Sequence, residues 1–398
     1  MNVSNQPPPL DGLRVLDLGQ IYNGAYAGFL LAQAGADVVK VEPPGGENLR
    51  NRPDAHGAWY PFLALNVNKR SICVDLKTAV GKEQLLALVA VADVVLENFA
   101  PGVMDRLGVG YSVMREVNPR LVYASSSGYG EQSRYRDRPA MDLTVQAMVG
   151  VTSVTGFPDA PPVKAGVAVA DFMAGVHMYS GIVSALWQRE RTGRGSSVEV
   201  AMFDAALPSL LSSLAVALGT PDETPTRTGN RHGGNGEAPY NVYAANDGYV
   251  AIICVSDRQW SALAEVIGGR EVLEEDRFTT RGLRVEHIDA LDRAIAAWTG
   301  ERGRDEVVDT LLASGVPAAP VRDLREVVED DDLRDRGVLR EVEDPVRGPI
   351  RVFSSPIRYD GQEPIAAQPA PQLGEHTEQV LREWLANPSD GDGDGATQ

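Results

Sequence analysis

Short apolar runs alternate with longer apolar-polar segments through the first half of the chain. Residues 13–18, Leu-Arg-Val-Leu-Asp-Leu between Gly12 and Gly19, read as a short buried strand. A Gly/Asn loop at 19–24 follows, then an apolar helix at 25–34 and a second strand at 36–42 stopped by Pro43-Pro44. A strand, a helix and a strand in that order imply a parallel pair. The alternation continues with strands at 71–76, 93–97 and 120–125 and helices at 81–92 and 111–117. Such regularity predicts an α/β fold, a doubly wound parallel sheet with helices on both faces.

Beyond Asp142 the pattern lengthens. Helices are predicted at 142–149, from 171 to about 190, and at 203–218, with a strand at 197–202. Residues 219–239 carry Thr, Pro, Gly, Asn and Arg and almost no large apolar side chain, so they read as a linker with a Gly-rich loop. A smaller α+β segment follows: strands at 240–244 and 249–255 around an Asn246-Asp247-Gly248 turn, then helices at 260–267, 287–298 and 304–314. Late strands are expected at 351–353 and 357–359, and a final helix at 376–385. The resulting division is a large domain from 1–218 with 335–386, the linker 219–239, a small domain 240–334, and a disordered tail 387–398.

Composition narrows the chemistry. The 398 residues carry 37 Lys+Arg against 55 Asp+Glu, a net charge of −18, which argues against nucleic-acid and anionic-membrane partners. Cys73 and Cys254 form no C-x-x-C pair, and the five histidines lack metal-ligand spacing, so no metal site is expected. No signal-peptide pattern and no uninterrupted apolar run of 18 residues is found, so no membrane partner and a cytoplasmic location are expected.

Against that acidic background the basic clusters stand out: Lys69-Arg70 and Lys77, Arg106, and Arg134, Arg136 and Arg138 on one loop. They are either phosphate ligands or ordinary surface ion pairs. The first βα turn has glycines at 19, 24 and 28 but no G-x-G-x-x-G, so a nicotinamide site is disfavoured. Asp171 opens an apolar helix and reads either as an N-cap or as an oriented nucleophile; Asp142 has the same two readings. His177, on the apolar helix, reads as a core histidine.

Several motifs together resemble the family III CoA-transferases, a family that includes α-methylacyl-CoA racemases. They are Pro9-Leu10-Asp11-Gly12-Leu13-Arg14-Val15-Leu16-Asp17, Gly35-Ala36-Asp37-Val38-Val39-Lys40-Val41-Glu42-Pro43 and Asn68-Lys69-Arg70-Ser71. Glu97-Asn98-Phe99-Ala100-Pro101-Gly102, Asn118-Pro119-Arg120, Thr192-Gly193-Arg194-Gly195 and Leu373-Gly374-Glu375-His376-Thr377 complete the set. The resemblance implies an interlocked homodimer acting on an acyl-CoA and a small carboxylic acid, with coenzyme A as co-substrate. It implies Asp171 as the nucleophile, Asp142 in support, and Gly233, Gly234 and Gly236 as a loop shielding the intermediates. It places CoA contacts at Gln20, Tyr22, Asn23, Val74, Lys77, Asn98, Phe99 and Arg106. Two positions depart from formyl-CoA transferase: Gln20 stands for a His, and Pro43 for an Arg. The alternatives are α-methylacyl-CoA racemisation or intramolecular CoA transfer. The racemases carry a His immediately before the position of Asp142, and here that residue is Met141, which cannot move a proton.

Overall fold

Strand residues of opposite parity bury on opposite faces of one sheet, and this sets the layering. The structure is a computed structural model that describes residues 6–54, 57–58, 60–219, 226–268, 272, 275–359 and 365–386. The expected tail at 387–398 lies outside the described residues, as does 220–225 of the linker. Six strands, β1 (Arg14–Asp17), β2 (Asp37–Glu42), β3 (Arg70–Cys73), β4 (Val94–Glu97), β5 (Val122–Ser127) and β6 (Ser197–Ala201), form a parallel sheet in the order β3-β2-β1-β4-β5-β6. Val15, Val38, Val94 and Val122 pack under helices α1 (Asn23–Gln33) and α5 (Val169–Thr192). Their neighbours Leu16, Val39, Val95 and Tyr123 face the other way. There they meet α2 (Ala79–Val89), Met114 of α3 (Tyr111–Val117) and the C-terminal helix α9 (Thr377–Leu385). Helices therefore cover both faces, as the alternation predicted.

The chain divides into two compact units. The first comprises Met1–Val145, Ala168–Ala206 and Asp330–Gln398; the second comprises Gln146–Val167 and Leu207–Glu329. The helix α4 (Asp142–Val149) runs across that boundary in sequence. The second unit holds a three-stranded antiparallel sheet, β7 (Tyr240–Ala245), β8 (Gly248–Ile253) and β9 (Ala318–Pro320), in the order β9-β8-β7. Its core joins Val250, Ile252 and Tyr243 to α6 (Asp257–Ile267), α7 (Ile288–Gly300) and α8 (Arg304–Ala313).

The C-terminal return differs from the sequence reading. The late strands are β10 (Leu339–Asp344) and β11 (Gly348–Phe353), an antiparallel hairpin, and residues 357–359 form no strand. Their charged residues hid β10, because only Val342 and Asp344 of that strand are buried. The return then seals the open edge of the large sheet. Ser71 O accepts from His376 N at 2.9 Å, and Cys73 N donates to Thr377 Oγ1 at 3.1 Å. Trp384 Nε1 donates to Asp37 Oδ2 at 2.9 Å, and Arg70 pairs with both Asp37 and Glu383. An uncovered edge strand invites pairing with another chain, so this seal matters. Two helices, Val169–Thr192 and Met202–Gly219, are long and apolar enough to cross a membrane by length and composition alone. The first is a core helix in this fold, burying Ala174, Met178 and Ile182 against the sheet.

Candidate active site

The strand order locates the site. The chain leaves β1 toward β2 and β3, then returns to β4 on the other side of β1, so the loops after β1 and β4 diverge. Open α/β sheets bind ligands in that crevice, outside the C-terminal strand ends. A cavity of about 760 Å³ lies there. Its walls come from the loop after β1 (Gln20, Ile21, Asn23), the segment after β4 (Asn98, Phe99, Arg106), and the end of β5 (Ser126, Ser127). Asp171 contributes from the first turn of α5.

Four arginines, Arg52, Arg106, Arg136 and Arg138, line this cavity against two carboxylates, Asp137 and Asp171. In a chain of net charge −18 this local excess of cations suits a polyanion. Arg136 keeps a surface pair with Asp137 at 3.2 Å while it lines the cavity, and Arg138 lies over the Tyr135 ring with 4.4 Å to the centroid. Arg134 does not line the cavity; it lies over the Tyr135 ring with 4.7 Å to the centroid.

Gln20, Asn23, Asn98, Phe99, Arg106 and Asp171 converge on the cavity, whereas Tyr22, Val74, Lys77 and Asp142 do not line it. Tyr22 stacks on Phe172 at 5.8 Å, and Phe172 meets Tyr26 edge-on at 4.9 Å, which pins the start of α5 to α1. Burial pushes the Tyr22 hydroxyl pKa up, against the opposing charge of Arg52. Val74 packs in the core beside Leu85 and Leu88. Lys77 lies in the turn after β3, where its backbone N donates to Asp75 Oδ1 at 3.0 Å. Arg52, Asn48, Ser126 and Ser127 were not singled out from the sequence. Their only local signal was the Ser125-Ser126-Ser127-Gly128 run at a strand end, where doubly wound sheets bind ligands.

The two readings of Asp171 separate in the structure. Helix α5 begins at Val169 after Ala168, so Asp171 is its third residue rather than its N-cap. The capping acceptor is Asp142, whose Oδ1 receives Ala170 N at 2.9 Å and Asp171 N at 3.2 Å. Phe172 N donates to Ala168 O at 3.1 Å. These first-turn donors are spent within the protein, so they are not the oxyanion donors a helix start would otherwise offer. The Asp171 side chain is 7% exposed. Burial, with the nearby Asp142 charge adding to it, pushes its pKa up to about 7. Close packing makes this geometry: a Cβ at Gly175 would come within 2.8 Å of Asn23 O, so α1 and α5 meet through a glycine.

A buried ion network lies beneath the loop after β1. Lys69 Nζ donates to Asp17 Oδ2 at 2.8 Å, Ala25 O at 2.9 Å and Asn66 Oδ1 at 3.0 Å. Burial lowers the Lys69 pKa to about 8 despite Asp17. Lys40 Nζ reaches Gly19 O at 2.8 Å and sits 3.5 Å from Glu47.

The glycines of the linker belong to the second unit and form an ordered turn. Gly234 N and Gly236 N both donate to His232 Nδ1, at 3.2 and 3.4 Å, and the His232 ring packs edge-on against Tyr240 at 5.4 Å. A Cβ at Gly233 would lie 3.0 Å from Ser213 Oγ. His177 corrects the core reading: it is exposed, with Nδ1 2.7 Å from Met173 O of its own helix. Met141, 52% exposed, lines the cavity beside Asp142 and brings no proton carrier there.

Comparison with known proteins follows the same line. A family model, CoA-transferase family III, matches residues 10–377. A succinyl-CoA:mesaconate CoA-transferase of Haloarcula hispanica is 38% identical over 387 residues, covering 94% of this chain and 96% of that protein. A formyl-CoA:oxalate CoA-transferase of Streptomyces coelicolor is 38% identical over 390 residues, covering 93% of this chain and 94% of that protein. The crystal structure of a CAIB/BAIF family protein from Brucella suis superposes with a TM-score of 0.82 at 34% identity, covering 95% of this chain and 100% of that one.

Proposed function

Because the chain belongs to CoA-transferase family III, we propose that it moves coenzyme A from an acyl-CoA donor to a small organic acid, with Asp171 as nucleophile. The observation that carries this reading is a buried carboxyl with a raised pKa on the wall of an arginine-rich cavity at the switch point. A carboxylate taken out of water is less solvated and attacks more readily.

The reaction balances without an external proton. An Asp171 oxygen adds to the thioester carbonyl; the C–S bond breaks, leaving a mixed anhydride and CoA thiolate. The thiolate attacks the aspartyl carbonyl, releasing the donor carboxylate and forming an aspartyl-CoA thioester. The acceptor carboxylate attacks that thioester, and the thiolate then takes the acceptor acyl group, restoring the Asp171 carboxylate. Arg106, Arg136 and Arg138 supply charge for the phosphates of CoA, and Gln20, Asn23 and Phe99 form the wall along which it lies. Val74, Lys77 and Tyr22 do not line that wall. Gly233, Gly234 and Gly236 keep water from the anhydrides. The acids are of the kind the relatives use, succinate, mesaconate or oxalate. Met141 at the cavity gives no support to racemisation.

Incubation with acyl-CoA and hydroxylamine should trap Asp171 as a hydroxamate, and Asp171→Ala should lose transfer. Full activity in Asp171→Ala would sink the mechanism. Gly234→Ala should raise the ratio of acyl-CoA hydrolysis to transfer; an unchanged ratio removes the shielding role. The protein acts as an interlocked homodimer, a reading supported by exposed apolar side chains such as Trp187 at 69% and Leu218 at 86%. Light scattering that returned a monomer mass would refute it.

A further inference from the structure

The loop that leaves β1 has its backbone polar groups held, one after another, by side chains, first from β1 itself and then from distant segments. Gly19 N donates to Asp17 Oδ1 at 2.7 Å, and Gly19 O accepts from Lys40 Nζ at 2.8 Å. Gln20 N donates to Asn98 Oδ1 at 2.7 Å, and Gln20 O accepts from Asn98 Nδ2 at 3.0 Å. Ile21 N then donates to Glu47 Oε2 at 3.4 Å. Ile21 has a φ of 59°, a left-handed conformation that a β-branched residue adopts only when its surroundings dictate it. Room is made for the clamp as well: a Cβ at Gly24 would lie 2.9 Å from Asn98 Oδ1.

Asn98 is distinct among these holders. Asp17 and Lys40 come from β1 and β2, on the same side of the switch point as the loop they hold. Asn98 follows β4, 78 residues along the chain, and crosses from the opposite loop. Two hydrogen bonds from one planar carboxamide to the N–H and the C=O of one residue, in successive peptide groups, fix both the distance and the rotation of that stretch of backbone. We propose that Asn98 is a positioning residue that sets the width of the crevice, holding Gln20, Ile21 and Asn23 on the cavity wall, rather than a ligand contact as the family resemblance implies. This rests on the reading of the cavity as the acyl-CoA site.

The test uses the full-length protein with Asn98→Ala and the near-isosteric Asn98→Asp. The Asp variant keeps an acceptor for Gln20 N but turns an oxygen toward Gln20 O. Hydrogen exchange of the unliganded protein should accelerate about tenfold over residues 17–24 in both variants, with the other segments and the Tm little changed. Coenzyme A titrated calorimetrically should bind about tenfold more weakly, and the KM for acyl-CoA should rise likewise while kcat stays within about twofold. Weaker CoA binding with unchanged exchange would overturn the proposal and make Asn98 a direct contact. Faster exchange with unchanged CoA binding would overturn it too, since the loop would then not matter. If the wild type itself bound no CoA, the site assignment would fail separately. Exchange over 17–24 would still decide whether the clamp exists.

Discussion

Asp171 and Asp142 divide two tasks that one carboxylate at a helix start could combine. Asp142 satisfies the first-turn N–H groups, and Asp171 is left to the cavity with a pKa near 7. Transfer should therefore rise with pH as Asp171 ionises and level off above about 7, read from the pH profile of kcat/KM. Stability runs the other way. The folded pKa lies above the unfolded value, so the protein binds this proton more tightly when folded. The contribution is whole below about pH 4 and is lost as pH rises through 7. Asp171→Asn should thus unfold later than wild type at pH 8, by on the order of 2–4 kcal/mol, and about equally at pH 4. Equal Tm values at both pH values would contradict this. Asp142→Asn keeps the cap and removes the charge, so it should shift the activity profile to lower pH with little loss of stability. Asp142→Ala should shift it similarly but also cost about 1–2 kcal/mol in denaturant melts.

At the scale of elements, the turn from β1 into α1 rests on a buried ion pair. Asp17 and Lys69 are 0% and 4% exposed, and a Cβ at Gly28 would come within 2.3 Å of Asp17 Oδ2, so that glycine makes the pair fit. Asp17→Ala strands a buried ammonium and should cost about 3–5 kcal/mol, whereas the double change Asp17→Leu with Lys69→Met should recover most of it in the same melts. A single variant as stable as wild type would show the pair to be dispensable. This also marks how far the sequence could be read. Val15 and Leu16, or Val38 and Val39, disclose two buried faces by adjacency alone, so the parallel sheet was legible. Asn68-Lys69-Arg70 was visible as a basic cluster, yet Lys69 turned inward to Asp17, a pairing across 52 residues that no local pattern encodes. Arg52 on the cavity wall was missed for the same reason: its place depends on where the segment after β2 travels. Residues 357–359 were read as a strand from apolar content, but a strand needs a partner, and β10 had taken the place beside β11.

For the whole molecule, the C-terminal return ties the large unit together through the edge of β3. The Leu373-Gly374-Glu375-His376-Thr377 motif was recognisable as a family signature, but its task, closing Ser71 and Cys73, is a long-range one. Ending the chain at residue 372 should leave β3 open and yield aggregated protein in size-exclusion chromatography. A soluble, monodisperse truncation with an unchanged Tm would show that the edge needs no cover. The same seal has a consequence for biosynthesis. Ser71 leaves the ribosome 305 residues before the His376 that covers it. At ordinary elongation rates the nascent sheet waits about 15–60 s with an unguarded rim. During that interval the exposed β3 edge is the place where a second nascent chain would pair.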